Sequence, residues 1–201
     1  MDGAMMRGRL IALEGPKLAG KTTLVSDLST RLAAASRADV VLTKEPTPAF
    51  DLTREQRMHG VDLAASIAED RRRHVNDVIG PALADGRTVI CDRYILSSYV
   101  FHTADGVPET VIEQLNGDFP RPALNLVLRV SARELRRRHI QRATTTRLQT
   151  VDAGAEAAAY TRYAEHMKRQ GVPSRMVDNS TMTDHQNLLD WLYARCFEGA
   201  Q

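Results

Sequence analysis

A chain of 201 residues with 43% hydrophobic and 26% charged side chains has the size and balance of one globular domain, which excludes a disordered or fibrous protein. A formal charge of +2 is too small to point to a nucleic-acid polymer or a bilayer as partner. Two cysteines, Cys91 and Cys196, suit neither a metal site nor a disulfide framework, and there is no apolar run of membrane-spanning length.

In chain order, MDGAMMRGR lacks the apolar centre of a signal peptide, so a cytoplasmic protein is expected. Leu10, Ile11, Ala12 and Leu13 form a run long enough for a buried strand. Gly15-Pro16-Lys17-Leu18-Ala19-Gly20-Lys21-Thr22 then fits G-x-x-x-x-G-K-[ST] at every fixed position, and Leu24, Leu28 and Leu32 recur as one face of a helix would. Strand, glycine loop and helix follow in the order a phosphate-binding loop requires. Glycines let the backbone of residues 15 to 23 (through Thr23) curl so that N–H groups point inward at phosphate oxygens, reinforced by the helix N-terminus. Lys21 is placed to reach the terminal phosphates of ATP, and the Thr22 hydroxyl to ligate Mg²⁺.

Residues 39–43 are expected to form a second strand that delivers Lys44-Glu45-Pro46-Thr47-Pro48 to the carboxyl edge of a sheet, where the prolines forbid a helix. Residues 53–84 have a helical pattern with a break near Gly60. Thr88–Cys91 reads as a third strand carrying Asp92-Arg93-Tyr94 to the same edge. Two short helices flank a Gly106/Pro108 turn, and a fourth strand runs from Leu124 to Val130. Ser131 is the expected cap of a helix through about Arg142, with Glu134 at the capping-box position. Thr144-Thr145-Thr146 should break that helix into a mobile segment. A helix over about 152–170, a fifth strand at Ser174–Val177 and a last helix over about 183–197, capped by Thr183 or Asp184, complete the chain. The alternation predicts a three-layer α/β/α domain over residues 1–201 with a five-stranded parallel sheet. An arginine-rich lid falls at about 138–150.

Asp92, beside the phosphate loop, is a candidate Mg²⁺ ligand, and Arg93 a partner for a transferring or accepting phosphoryl group. Arg138, Arg142 and Arg147 read either as a solvated basic face or as a lid that brings guanidinium groups to the γ-phosphate. Arg71 has the same two readings, the functional one a clamp on the acceptor's phosphate from a helix beside the cleft, whereas Arg72 and Arg73 are expected to face solvent. Tyr160, Tyr163 and Met167 read as a core stripe. His59, His74, His139, His166 and His185 read as ordinary surface or half-buried residues.

The succession GPKLAGKTT, KEP, AEDR, VICDRYILSSYVFH, an arginine-rich segment and VDNS resembles the thymidylate kinases over residues 9–197. The resemblance implies transfer of the ATP γ-phosphate, with Mg²⁺, to a nucleoside monophosphate in a homodimeric enzyme. It implies phosphate contacts from Lys21 and Arg93, lid roles for Arg138, Arg142 and Arg147, and Asn179 near the adenine. Acceptor contacts are implied for Glu45, Ile67, Arg71, Arg93, Ser97, Ser98, Phe101 and His102. The departures gather on the acceptor side. Lys17 stands where the family has an acid toward the acceptor sugar, Ile67 where it has a stacking phenylalanine, and His102 where it has glutamine. Thr47-Pro48 replaces a glycine pair, Arg129 an aspartate of the fourth strand, and Thr146 the lid aspartate. A shifted acceptor is the expectation.

Two other classes stay open: a nucleoside kinase with Glu45 as general base for a 5′-hydroxyl, and a non-catalytic ATP-binding protein. Lys21→Ala should abolish phosphoryl transfer. Arg142→Ala should lower turnover with little change in ATP affinity, measured by steady-state kinetics and titration. Parallel loss of ATP binding and turnover in the second variant would contradict the lid assignment.

Overall fold

The computed structural model describes residues 8–140 and 153–197. Strands β1 (Arg9–Glu14), β2 (Val40–Lys44), β3 (Thr88–Asp92), β4 (Leu124–Arg129) and β5 (Ser174–Asp178) form one parallel sheet in the order β2-β3-β1-β4-β5. Its helices are α1 (Lys21–Ala34), α2 (Arg54–Arg57), α3 (Gly60–His74), α4 (Gly80–Ala84), α5 (Ile95–Ala104), α6 (Glu109–Asn116), α7 (Ala132–Ile140), α8 (Ala153–Arg169) and α9 (Met182–Arg195). A π-helical turn, Val75–Ile79, joins α3 to α4.

The central strands are apolar on both faces because helices cover both. Leu10, Ala12, Val89 and Cys91 point into one core with α5 and α8, where Leu96, Tyr99, Tyr163 and Met167 pack. Ile11, Leu13 and Ile90 point the other way, against Leu24, Leu28 and Leu32 of α1 and Leu188 and Leu192 of α9. The two-residue alternation of β1 thus divides one run of six residues between two cores. Both cysteines are buried and unbridged. Among the described residues, no helix is long and apolar enough to cross a membrane.

All five expected strands form, with ends within a residue or two. The helical break expected near Gly60 is present; the π-helical turn, the cap of α9 and the role of Glu134 differ from expectation. The 53–84 region holds two α-helices separated at residues 58–59, then the π-helical turn and α4; α3 restarts at Gly60, whose φ of 56° is left-handed. The cap of α9 is Thr181, not Thr183 or Asp184: its hydroxyl accepts the Asp184 N–H (3.0 Å) and its own N–H donates to Asp184 Oδ2 (2.9 Å). Ser131 Oγ accepts the Glu134 N–H (3.3 Å), but the Glu134 carboxylate turns to Arg137 and Arg138 instead of closing the box. Arg142, Arg147, the threonine run and the rest of the expected lid beyond residue 140 lie outside the described residues.

One side chain ties the sheet to the helix that follows β3. Glu14, fully buried at the end of β1, accepts the Tyr94 N–H (2.9 Å) and the Ser97 hydroxyl (2.6 Å). Tyr94 precedes α5 with no side-chain cap of its own, so a carboxylate from another strand serves the N-terminal donors of α5. Burial is the largest influence on this carboxyl and pushes it from 4.5 up to about 7.

A group that holds its proton more tightly when folded reduces stability as it ionises, here as pH rises from about 4.5 to about 7. The unfolding free energy of the wild type relative to Glu14→Gln should therefore fall across that window, by at most about 1.4 kcal/mol per pH unit. Urea unfolding of both proteins at several pH values checks this; parallel stability profiles would contradict it.

Candidate active site

The phosphate loop takes its shape from positive-φ positions. Gly15 has φ 130°, and a Cβ there would lie 2.5 Å from the Leu128 carbonyl oxygen of β4, so no side chain fits. Gly20 has φ 93°, and Leu18 adopts φ 66° without the freedom of glycine. Two residues brace the loop from outside. Arg138 of α7 donates to Leu18 O (2.9 Å) and Asn179 O (3.0 Å), and the Asn179 amide donates to Ala19 O (2.7 Å). Asn179, expected near adenine, lines the same cavity as Lys21 and Thr22, and its buried amide also backs the loop just past the end of β5, with Oδ1 unpaired. Arg138 lines the same cavity, and its guanidinium also locks the loop.

Lys21 opens α1 and folds back over the loop, donating to Gly15 O (2.7 Å) and Pro16 O (3.0 Å). Burial, with the Arg93 guanidinium second, lowers its ammonium from 10.5 to about 7. The Thr22 hydroxyl meets Asp92 Oδ2 at 3.4 Å, while Asp92 Oδ1 is buried without a partner. A hydroxyl beside a carboxylate with an orphaned oxygen is a hard-donor pair that fits Mg²⁺.

Two cavities open on this edge of the sheet. The larger, about 570 Å³, is walled by Lys21, Thr22, Thr23, Arg138, Asn179 and their neighbours. The smaller, about 190 Å³, holds the expected acceptor residues Glu45, Ile67, Arg71, Arg93, Ser97, Ser98, Phe101 and His102 together, with Lys17 and Glu156. The structure thus brings this whole group together around one cavity.

Arg93 stands between the cavities. Its backbone is left-handed (φ 72°) and its N–H donates to Leu13 O (2.9 Å). Its NH1 donates to Ser97 Oγ (3.2 Å), to the Tyr160 hydroxyl and, at 3.4 Å, to Gly15 O, and the guanidinium lies 5.0 Å from the Phe101 ring centroid. Tyr160 is buried as a core residue should be, but its hydroxyl also meets Ser97 Oγ (2.9 Å).

Arg71, 2% exposed, is committed within the protein. Nε donates to Glu45 Oε2 (2.7 Å) and NH1 to Ser98 Oγ (3.0 Å) and to Asn116 Oδ1. The other Glu45 oxygen accepts from His74 Nδ1 (2.9 Å), whose Nε2 meets the Thr43 hydroxyl (2.6 Å). His74 is therefore a buried support for Glu45 behind the smaller cavity and not an ordinary surface or half-buried histidine. Glu45, His74 and Cys91 lie close enough together to suggest a metal centre, but the Arg71 guanidinium already neutralises Glu45. Arg72 and Arg73 face solvent beside Glu69, as expected.

The departures separate in space. Lys17, Ile67 and His102 line the smaller cavity. Burial, then the Arg71 charge, pushes His102 down from 6.5 to about 4, so it is neutral near pH 7. Thr47 is anchored by Asp70, which accepts its N–H (2.8 Å) and its hydroxyl (2.7 Å); this explains how the turn holds without a glycine pair. Arg129 is remote, pairing with Asp178 (3.0 Å) at the exposed end of the sheet. Sequence reasoning missed Glu14, Asp70, Asn116, Glu156 and the hydroxyl of Tyr160, and treated His74 as ordinary. Of these only Asp70, inside the AEDR stretch, carried a local signal.

The family model described as "Thymidylate kinase" matches residues 13–181. A thymidylate kinase of Xanthomonas campestris pv. campestris (strain B100) is 36% identical over 205 residues, spanning 88% of this chain and 90% of that one. A probable thymidylate kinase of Pyrococcus horikoshii is 35% identical over 158 residues, spanning 73% of this chain and 77% of that one. The crystal structure of the thymidylate kinase from Ehrlichia chaffeensis superposes with a TM-score of 0.66 at 19% identity, over 92% of this chain and 99% of that one.

Removing one partner of a buried ion pair leaves the other charged and stranded. Arg71→Ala should therefore cost about 3 kcal/mol or more of stability. Arg72→Ala, on the exposed face, should stay within about 0.5 kcal/mol of wild type. Denaturant unfolding of both variants checks this; equal small losses would mean that the Arg71–Glu45 pair contributes little.

Proposed function

Because the chain belongs to the thymidylate kinase family, we propose that it transfers the γ-phosphate of ATP to a nucleoside monophosphate whose base differs from thymine or is modified. The observation that carries this reading is the pair of cavities meeting at Arg93, one over a phosphate loop and one walled by the acceptor residues.

The bond from the γ-phosphorus to the β–γ bridging oxygen breaks as one forms to an oxygen of the acceptor phosphate, and ADP leaves. That oxygen is already ionised near neutral pH, so no base is required. The main-chain N–H groups of the loop and Lys21 grip the triphosphate, whose charge would raise the Lys21 ammonium back above the value burial gives it. Thr22 and Asp92 would hold Mg²⁺, which when bound supplies charge neutralisation at the β- and γ-phosphates. Arg93, fixed by Ser97 and Tyr160, aligns the acceptor phosphate for in-line attack. By sequence position, Arg142 and Arg147 are assigned to covering the γ-phosphate.

The acceptor reading rests on the wall. Ile67 supplies no aromatic face where the family stacks one, a loss of about 1 kcal/mol for a flat base. A neutral His102 offers one donor and one acceptor to a base edge. The nucleoside-kinase alternative is disfavoured because both oxygens of Glu45 already accept hydrogen bonds from Arg71 and His74. A non-catalytic ATP binder would have no use for the second cavity.

A screen of nucleosides and nucleoside monophosphates with ATP and Mg²⁺, read by nucleotide chromatography, tests the reading. The expected result is diphosphate product from a non-thymine or modified monophosphate at a higher kcat/KM than from thymidylate. Phosphorylation of free nucleosides, or preference for thymidylate, would overturn it.

A further inference from the structure

Among the described residues, Lys17 and Arg93 line both cavities. Both cations therefore border the junction at which a phosphoryl group would pass from donor to acceptor. Lys21 and Arg71 each line only one of the two cavities. The Lys21 ammonium sits over the Gly15 and Pro16 carbonyls and belongs to the larger cavity alone. Arg71 is tied to Glu45, Ser98 and Asn116 behind the smaller one. Leu18, the next residue of the loop, is apolar.

We propose that Lys17 is a catalytic residue whose ammonium contacts the phosphoryl group in transfer, opposite Arg93. This rests on the reading that the acceptor occupies the smaller cavity. The position is built for the task. The main-chain N–H of Lys17 donates to Glu156 Oε1 (3.1 Å), an acid from the first turn of α8 that is itself buried. The loop tip is thereby held from across the cleft. A lysine rooted there presents a compact, strongly charged donor where charge accumulates on the transferring oxygens. Lys17 forms no covalent bond, and the atoms exchanged are those of the phosphoryl transfer itself. An acid at this position of the loop would repel the same group, so a lysine here changes the task of the position as well as its charge.

The test compares ATP with adenosine 5′-pentaphosphate, whose distal phosphates extend past the γ-position toward the smaller cavity without needing an acceptor base. Calorimetric titration with Mg²⁺ would be run on wild type, Lys17→Met, Lys17→Gln and Lys17→Arg. In the Met and Gln variants, ATP affinity should change by less than about threefold and pentaphosphate affinity should fall by about tenfold or more. Lys17→Arg should recover most of the loss, and thermal midpoints should stay together, which a purely structural role would not produce. With a working acceptor, kcat should fall more than the KM for ATP rises. Pentaphosphate affinity that is unchanged, or that falls only in step with ATP, would overturn the proposal. Should the wild type phosphorylate no monophosphate, the acceptor reading would fall, while the two affinities would still decide the role of Lys17.

Discussion

The geometry of the active edge depends on a chain of polar contacts running from a guanidinium to a carboxylate. Arg93 donates to the Tyr160 hydroxyl, Tyr160 meets Ser97, and the Ser97 hydroxyl donates to Glu14. The donors point one way, with the positive charge at one end and the acid at the other. Arg93 holds a left-handed backbone that costs a non-glycine residue about 1–2 kcal/mol. Hydrogen bonds to a charged group contribute about 1.5–3 kcal/mol each, so the contacts outweigh that strain. In one network β1 orients α5, α8 closes on β3, and a cation is fixed at the junction of two cavities.

Much of this was legible because it is written locally. The glycines of the phosphate loop, the prolines after β2 and the Asp92-Arg93 pair at the end of β3 act within a few residues of themselves. The runs of apolar residues then place their strands at one sheet edge. What was missed acts over distance. Glu14 looks like the last residue of a strand, and its meaning lies in Ser97, 83 residues on. Tyr160 occupies a helical core spacing and is buried, so periodicity describes it correctly and still omits the hydroxyl contact to Ser97, 63 residues away. Glu45 and Arg71 were both singled out, but not their union, because a buried ion pair between a loop and a helix leaves no mark in spacing. Asn179 was singled out for its place just past β5, and what spacing did not show is that its amide also serves the loop backbone.

The acceptor side differs in kind from the donor side. The larger cavity gathers around a loop whose shape is set by backbone at Gly15, Leu18 and Gly20. The smaller cavity is built from side chains, and its rigidity comes from Arg71, which joins the Glu45 loop, α5 and α6 while lying 5.0 Å from the Tyr94 ring centroid. A wall held that way tolerates change at Ile67 and His102 without loss of the frame, which is what the proposed change of acceptor requires.

The most direct measurement is a crystal structure with Mg²⁺ and a dinucleoside polyphosphate that mimics donor and acceptor joined. The account predicts one nucleoside in the cavity over the phosphate loop, the other beside Ile67 and His102, and the phosphate chain passing within hydrogen-bonding distance of Arg93. A second nucleoside bound outside the smaller cavity, or an Arg93 guanidinium out of reach of the phosphates, would contradict it.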